Sequence, residues 1–436
     1  MRVKEQLKKI ISPTFLQAYH FVLAWLGAII YRFPSRKMII IGVTGTSGKS
    51  TVVEMIYHIL DSAGLKTAAL SSIGFHLGGK FWFNNLKMTM PGRFRLQKFL
   101  FRSWKNQCQY VVIEVTSEGI LQHRHRGIDF NVLVFTNLSP EHIERHGGFE
   151  NYKKTKGKLF QGLSKASLIK NRRCLDKTMI INLDDSAASY FLSFPADKKI
   201  GYGLRSYPDK AGTIEAEDIV LTDQGSSFRA RGTRFSLNLP GKFNISNALA
   251  AIAVGDTQDI HFSVMAQALA QIKNLPGRLE LVIAQPFRVF VDYAHTPVAL
   301  KKVYQTLQRP EGKMICLLGS CGGGRDKWKR PVLGKIASQF CQWVVLTNED
   351  PYDEDPWQII NQVKEGIDKN FPRDRLLTFL DRRQAIEKVL RIAQPGDTVV
   401  ITGKGSESLM CLAQGQKIPW SDKKIVQGIM EKLKIF

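Results

Sequence analysis

Along the chain, runs of near-continuous apolar residues alternate with stretches in which apolar positions recur every three or four residues. The run "MIIIGV" (38–43) is followed by Val52, Val53, Met55, Ile56, Ile59 and Leu60 on one side of a helical period. This predicts a strand, a Gly-rich turn and an amphipathic helix. Gly64 then stands where a helix end favours a left-handed residue. "YVVIEV" (110–115), "NVLVFTNL" (131–138) and "TMIINL" (178–183) are further unbroken apolar runs, the signature of parallel strands covered on both faces. From about 213 to 240 the pattern changes to short alternation, "SSFRARG" and "TRFSLNL", which predicts a small antiparallel layer, with a helix starting near Asn247.

A second alternating series begins near residue 276. "FRVFVDYAH", "KMICLLGS", "QWVVLTNED" and "DTVVITGKG" predict strands, and "PVALKKVYQTL", "RPVLGKIASQF", "PWQIINQVKEGI" and "RRQAIEKVLRIA" the helices between them. The expected fold class is therefore α/β: a P-loop parallel-sheet domain over 38–275 and a Rossmann-like α/β domain over 276–436. "NLPGRLE" (274–280) reads as the hinge between them. Residues 1–37 form a third segment. They carry seven Lys/Arg and one Glu around the uncharged run Phe15–Tyr31. That run admits a helix packed on the protein, an interfacial helix, or a short span.

Composition adds one constraint. The 436 residues carry a formal charge of +24, with a pI near 9.8, which favours anionic partners. Six scattered cysteines without a C-x-x-C pair point to neither a zinc ribbon nor a disulfide framework, and a reducing cytoplasm fits.

The chemistry gathers at predicted strand ends, where open α/β sheets bind ligands. "GVTGTSGKST" supplies Gly45, Thr46, Ser47 and Gly48 to wrap phosphate with backbone N–H groups. Lys49 can reach the β- and γ-phosphates, and the hydroxyl of Ser50 or Thr51 can hold Mg²⁺. Glu114 and His142 end or follow buried runs and can complete a metal site. The tract 153–173 holds eight Lys/Arg and no acid, which alone reads as a solvated face or a nucleic-acid patch.

Taken in order, "GVTGTSGKST", "EVTSEGILQHR", "FTNLSPEHIERHG", "YKKTKGKLF", "GKFNISNALAA", "PGRLE", "VDYAHTP", "GGGRDKWKRP" and "GKGSE" resemble the Mur ligases, in the MurE-type branch of tripeptide synthetases. The resemblance runs from about residue 38 to the C-terminus. It implies an ATP- and Mg²⁺-dependent ligase that joins an amino acid to a muramyl-peptide acceptor through an acyl-phosphate. By position, Glu114 and His142 match the family's Mg²⁺ ligands, and Lys156 matches the lysine that CO₂ converts to a carbamate. Asn244 and Asn247 match the adenine-side asparagines, Arg278 the hinge arginine, and Asp292 the ribose-binding acid, with His295 beside it. Thr89, Thr116, Gln122 and Arg124 match residues that hold the muramyl peptide. Arg325, Gly403 and Glu407 match contacts to the incoming amino acid.

Two departures shape the expectation. The segment before the P-loop strand is short, basic and apolar where the family places a domain for the uridine nucleotide. "EDPY", Glu349, Asp350, Pro351 and Tyr352, stands where diaminopimelate-binding members carry "DNPR". Without that arginine and with an acidic loop, a cationic side chain such as that of L-lysine is favoured over diaminopimelate; the alternative is a small neutral amino acid, with Tyr352 closing the pocket. The other readings are a ligase for a lipid-linked, cyanophycin-like or folylpolyglutamate-like acceptor, and a basic membrane- or nucleic-acid-associated P-loop ATPase or scaffold. A cytoplasmic monomer is expected, with residues 1–37 either contacting the membrane face or covering the protein surface, and without a nucleic-acid partner.

Overall fold

The computed structural model describes residues 13–163, 169–170, 173–174, 176–207 and 212–433. The basic residues 1–12 and residues 164–168, 171 and 172 of the basic tract lie outside this set. Chain contacts divide it into two compact units. One holds residues up to 140 together with 146–273, the other 141–145 together with 274–436.

The first unit opens with α1 (Pro13–Ile30), then β1 (Ile39–Thr44), α2 (Lys49–Ser62), β2 (Thr67–Leu70), β3 (Gly74–Leu77) and β4 (Lys80–Phe83). It continues with α3 (Arg93–Lys105), β5 (Tyr110–Glu114), the short α4 (Ser117–Leu121), β6 (Val132–Phe135) and α5 (Phe149–Gln161). β7 (Thr178–Asn182), β8 (Lys198–Gly203) and β9 (Ile214–Glu215) complete its sheet. The strand order is β9-β8-β7-β6-β1-β5-β2-β3-β4. All pairs from β9 to β2 are parallel, and the β3–β4 hairpin closes the edge antiparallel. β1 lies between β5 and β6, and Ile40, Ile41 and Val43 are fully buried, as an apolar run in a two-sided sheet requires. A separate antiparallel sheet follows, β10 (Glu217–Leu221), β11 (Ser226–Ala230) and β12 (Thr233–Leu237). The alternation in this stretch foretells it.

The helix expected from Asn247 begins earlier, as α6 (Lys242–Asp256). Gly241, at φ 96, supplies the turn into it, and a period search misses this start because the first turn, Lys242 to Ser246, is mostly polar. α6 packs against α2, which brings its asparagines beside the Gly-rich turn.

The second unit contains β13 (Glu280–Ile283), β14 (Arg288–Asp292), α7 (Pro297–Leu307), β15 (Met314–Leu318), α8 (Lys329–Phe340) and β16 (Trp343–Thr347). α9 (Pro356–Lys364), β17 (Leu376–Phe379), α10 (Arg382–Ile392), β18 (Thr398–Thr402) and α11 (Asp422–Leu433) follow. Its sheet runs β13-β14-β18-β15-β16-β17, parallel except at the β13–β14 edge. Arg382 of α10 and Asp422 of α11 form a fully buried pair at 2.8 Å that joins the two helices.

Candidate functional site

In the first unit, the turn between β1 and α2 is shaped by two glycines. Gly45 (φ 151) and Gly48 (φ 82) leave no room for a Cβ: at Gly45 it would meet the Thr136 hydroxyl, at Gly48 the Asn247 side-chain oxygen. The turn is held open by Asn137 and Thr136 from the end of β6. Asn137 accepts from Ser47 N at 2.9 Å, its carbonyl accepts from Thr46 N at 2.8 Å, and Thr136 Oγ1 donates to Ser47 O at 2.7 Å. The backbone amides that open α2 carry the positive end of its dipole, so the turn favours an anion.

Lys49, at the first position of α2, donates to Thr46 O at 2.7 Å, and its Nζ lies 3.9 Å from Glu114 Oε1. Ser50 donates to Glu114 Oε2 at 2.9 Å, and Ser72 N donates to the same oxygen at 2.8 Å. Ser50 and Ser72 hydroxyls are 2.7 Å apart. A buried carboxylate and a hydroxyl at the mouth of a phosphate cradle fit Mg²⁺, which is held by one or two carboxylates plus phosphate oxygens. Thr51 is buried on α2.

Lys156, on α5 and 1% exposed, donates to Gly45 O at 2.8 Å and stands 4.7 Å over the Tyr152 ring. Tyr152 Oη is 3.1 Å from Thr46 Oγ1. The structure therefore brings Lys156 onto the same turn as Lys49. Asn244 donates to Pro240 O at 2.8 Å, and Asn247 donates to Asn244 Oδ1 at 3.3 Å. Sequence reasoning gave no role to Ser72 or Tyr152. Single hydroxyl residues carry no spacing signal, and only the fold sets them beside Glu114 and Thr46.

A second group sits at the end of β5. Thr116 caps α4 by accepting from Gly119 N at 3.1 Å. Arg124 donates to Gln122 Oε1 at 2.7 Å and to the carbonyl of Met90. Half-buried Thr89 precedes Met90, so these four residues share one region.

His142 belongs to residues 141–145, which group with the second unit. Ile143 N and Glu144 N donate to the two carboxylate oxygens of Asp326, and Lys327 N donates to Glu144 at 2.7 Å. Glu141 takes His295 Nε2 at 2.8 Å and lies 3.6 Å from His142 Nε2. Burial lowers the His142 pKa to about 4, so the ring is neutral and able to ligate a metal. Among the described residues, no three His, Cys, Asp or Glu side chains are grouped to hold a metal ion.

Asp292 ends β14. Its oxygens accept from Leu279 N and Ala294 N, both at 2.6 Å. Burial raises its pKa, opposed by Arg278 and by these N–H groups. Arg278 lies 4.6 Å over the Tyr293 ring.

Around "EDPY" the acids are mostly committed. Asp350 pairs with Lys404 at 2.9 Å, and Lys404 with Glu407 at 2.7 Å. Asp353 accepts from Gln414 N at 2.6 Å, Glu354 pairs with Arg330 at 2.9 Å, and Asp355 caps α9 through Trp357 N at 3.0 Å. Glu349 differs. It is 3% exposed, and its Oε2 has no hydrogen-bond partner among the described residues. A Cβ at Gly403 (φ 106) would collide with this carboxylate. The acidity that the sequence spreads over the loop thus narrows to Glu349. Tyr352 adopts φ 54, and Arg325 is exposed.

With this geometry in place, the chain can be set beside known proteins. Residues 43–255 match the Mur ligase middle domain, and residues 277–405 match the Mur ligase, glutamate ligase domain. The UDP-N-acetylmuramoyl-L-alanyl-D-glutamate–2,6-diaminopimelate ligase of Syntrophomonas wolfei is 35% identical over 415 residues, covering 94% of this chain and 81% of that protein. The UDP-N-acetylmuramyl-tripeptide synthetase of a Roseiflexus species is 34% identical over 417 residues, covering 92% and 80%. Among solved structures, a UDP-N-acetylmuramoyl-L-alanyl-D-glutamate–2,6-diaminopimelate ligase superposes with a TM-score of 0.59 at 29% identity, covering 91% of this chain and 79% of that one. Folylpolyglutamate synthase of Mycobacterium tuberculosis shares the fold, with a TM-score of 0.69 at 18% identity, covering 88% and 92%.

Proposed function

Because the chain belongs to the Mur ligase family of ATP-dependent ligases, we propose that it joins an amino acid to a muramyl-peptide acceptor during peptidoglycan synthesis. The observation that carries this reading is the cradle of Gly45 and Gly48 with Lys49, Ser50 and Glu114 at its mouth. The acceptor carboxylate attacks the γ-phosphorus of ATP, giving an acyl-phosphate and ADP. The amine of the incoming amino acid then attacks the acyl carbon, phosphate leaves, and an amide remains. Two anions must meet in the first step, so positive charge at the γ-phosphate lowers the barrier. Lys49 supplies part of it.

Ser50 and Glu114 would hold Mg²⁺, which neutralises phosphate charge when bound; His142, in the second unit, is assigned as a metal ligand from its place in the family motif alone. Lys156 is assigned a carbamate: its neutral amine takes up CO₂ and loses a proton. This turns a buried cation at the Gly45 carbonyl into an anion that favours a metal. Asn244, Asn247, Arg278, Asp292 and His295 are assigned to the nucleotide, and Thr89, Thr116, Gln122 and Arg124 to the acceptor. Arg325, Glu349, Asp350, Tyr352, Gly403 and Glu407 are assigned to the amino acid. The relative from Syntrophomonas is named for diaminopimelate. Here Tyr352 replaces the arginine of the diaminopimelate motif, and the buried Glu349 carboxylate, whose Oε2 has no hydrogen-bond partner among the described residues, favours a terminal ammonium, so L-lysine is the assigned amino acid.

The enzyme is assigned to the cytoplasm as a monomer, with residues 1–37 touching the inner membrane face. Phosphate release from Mg-ATP, measured with UDP-linked muramyl dipeptide and with each amino acid in turn, tests the reaction. Mass spectrometry of the product identifies what was joined. Release that ignores the acceptor would reject the ligase reading.

A further inference from the structure

α1 is built the wrong way round for a helix that merely covers a core. The side it turns to the protein has small residues at its closest approach: Ala24, Gly27 and Ala28 are buried beside half-buried Leu16, His20 and Leu23, Ala28 abuts Gly127, and Gly27 lies over Phe94 and Gln97 of α3. The side it turns to solvent is large. Phe15, Tyr19, Val22, Leu26, Ile29 and Ile30 are between 43% and 64% exposed. Their spacing of three and four places them on one stripe, roughly 22 Å long at 1.5 Å per residue. No residue of α1 is charged.

The neighbouring elements supply charge. α3, which packs against α1, exposes Arg95, Lys98, Arg102 and Lys105, again at helical spacing. None of the four forms an ion pair among the described residues. On the other side of α3, Phe99 contacts Phe75 of the β3–β4 hairpin, and Trp82 stacks on Phe75. The edge strand β4 exposes Phe81, Trp82 and Phe83 by 41% to 48%. Residues 13–37 and 71–109, which contain all of these elements, carry ten Lys/Arg and no Asp or Glu.

An apolar stripe, a row of cations and interfacial aromatics, all carried by two acid-free segments of the chain, match the surface of an anionic bilayer. Isologous pairing with a second copy would set the α3 cations against each other. Nucleic acid would leave the apolar stripe unused. Among the described residues no helix is long and apolar enough to cross a membrane, so the contact is peripheral. We infer that α1 lies in the headgroup–acyl boundary of an anionic membrane, with the α3 cations on lipid phosphates and β4 at the rim. This gives the membrane contact proposed for residues 1–37 its residues and its lipid class. It does not depend on the ligase reading, because it is tested without ATP or substrates.

The test is co-sedimentation of the full chain with phosphatidylcholine vesicles, with and without phosphatidylglycerol. Binding is expected only with the anionic lipid, and it should weaken as salt is raised. Val22→Glu with Leu26→Glu should lower binding more than about tenfold. Arg95→Ala with Lys98→Ala and Arg102→Ala should lower it by roughly fivefold per cation removed. All these side chains face solvent, so the melting temperature and the soluble phosphate-release rate should stay unchanged. No sedimentation with anionic vesicles would overturn the proposal, as would binding indifferent to both variants. So would a dimer, seen by sedimentation velocity, that the stripe variant dissociates.

Discussion

At the scale of single residues, the P-loop lysine and the buried lysine beside it carry the sharpest predictions. Lys49→Ala removes a transition-state charge and little packing, so kcat should fall by about a hundredfold or more, with the melting temperature unchanged. Lys156→Ala should be inactive, and formate or acetate should restore part of the activity by replacing the carbamate; an intact-mass spectrum of native protein showing no carboxyl adduct would argue against the carbamate itself. Lys153→Ala is the control. Its partner is exposed Glu150 at 2.8 Å, and such a pair contributes about 0.5 kcal/mol or less, so activity should persist. For the amino acid, kcat/KM should favour L-lysine over meso-diaminopimelate by about tenfold or more. A preference for diaminopimelate would show that another cation, such as Arg325, binds the second carboxylate.

At the scale of elements, the two ends of α2 separate function from stability. Both Gly48 (φ 82) and Gly64 (φ 76) adopt left-handed conformations. At Gly64 a Cβ would meet nothing, so Gly64→Ala costs only conformational strain, about 1 kcal/mol, and leaves turnover alone. At Gly48 the added Cβ must displace Asn247, so Gly48→Ala should also raise the KM for ATP. Chemical denaturation and steady-state kinetics of the two variants should diverge in this way. If they behave alike, the turn is not the nucleotide cradle.

At the scale of the whole molecule, net charge and buried imidazoles act together on acidification. Burial lowers the pKa of His125 to about 3, and burial lowers those of His20 and His142 to about 4. The unfolded chain protonates these rings at 6.5, so between those values it binds more protons than the folded chain. Stability must fall as pH drops below the unfolded value. For the buried His125 alone, the loss between pH 6.5 and about 5 is up to about 2 kcal/mol. Thermal melts across this range should show it, and His125→Leu should flatten the slope. A melting temperature that rises on acidification would contradict the burial of this ring.

The sequence by itself determined the central parallel strands β1, β5, β6, β7, β14, β15, β16 and β18, the P-loop turn and the family, but not the parallel strands β2, β8 and β17. Near-continuous apolar runs belong to strands covered on both faces, and the Gly-rich turn, lysine and hydroxyls must be adjacent in the chain to act on one phosphate. It also anticipated Gly64 at the end of α2, since capping is a local matter. It did not show the β3–β4 hairpin, whose four-residue strands carry too few positions to fix a period, or the early start of α6. Only the tertiary structure set Ser72 and Tyr152 at the cradle, because residues with no sequence neighbour in the site are brought there by sheet order. Only the tertiary structure placed residues 141–145 with the second unit, through backbone N–H bonds to Asp326 some 180 residues away. The uncharged run of α1 was legible as apolar. Which of its faces meets the protein was decided by packing: Ala24 and Ala28 approach Gly127 closely, and the large side chains of the opposite stripe stay outside.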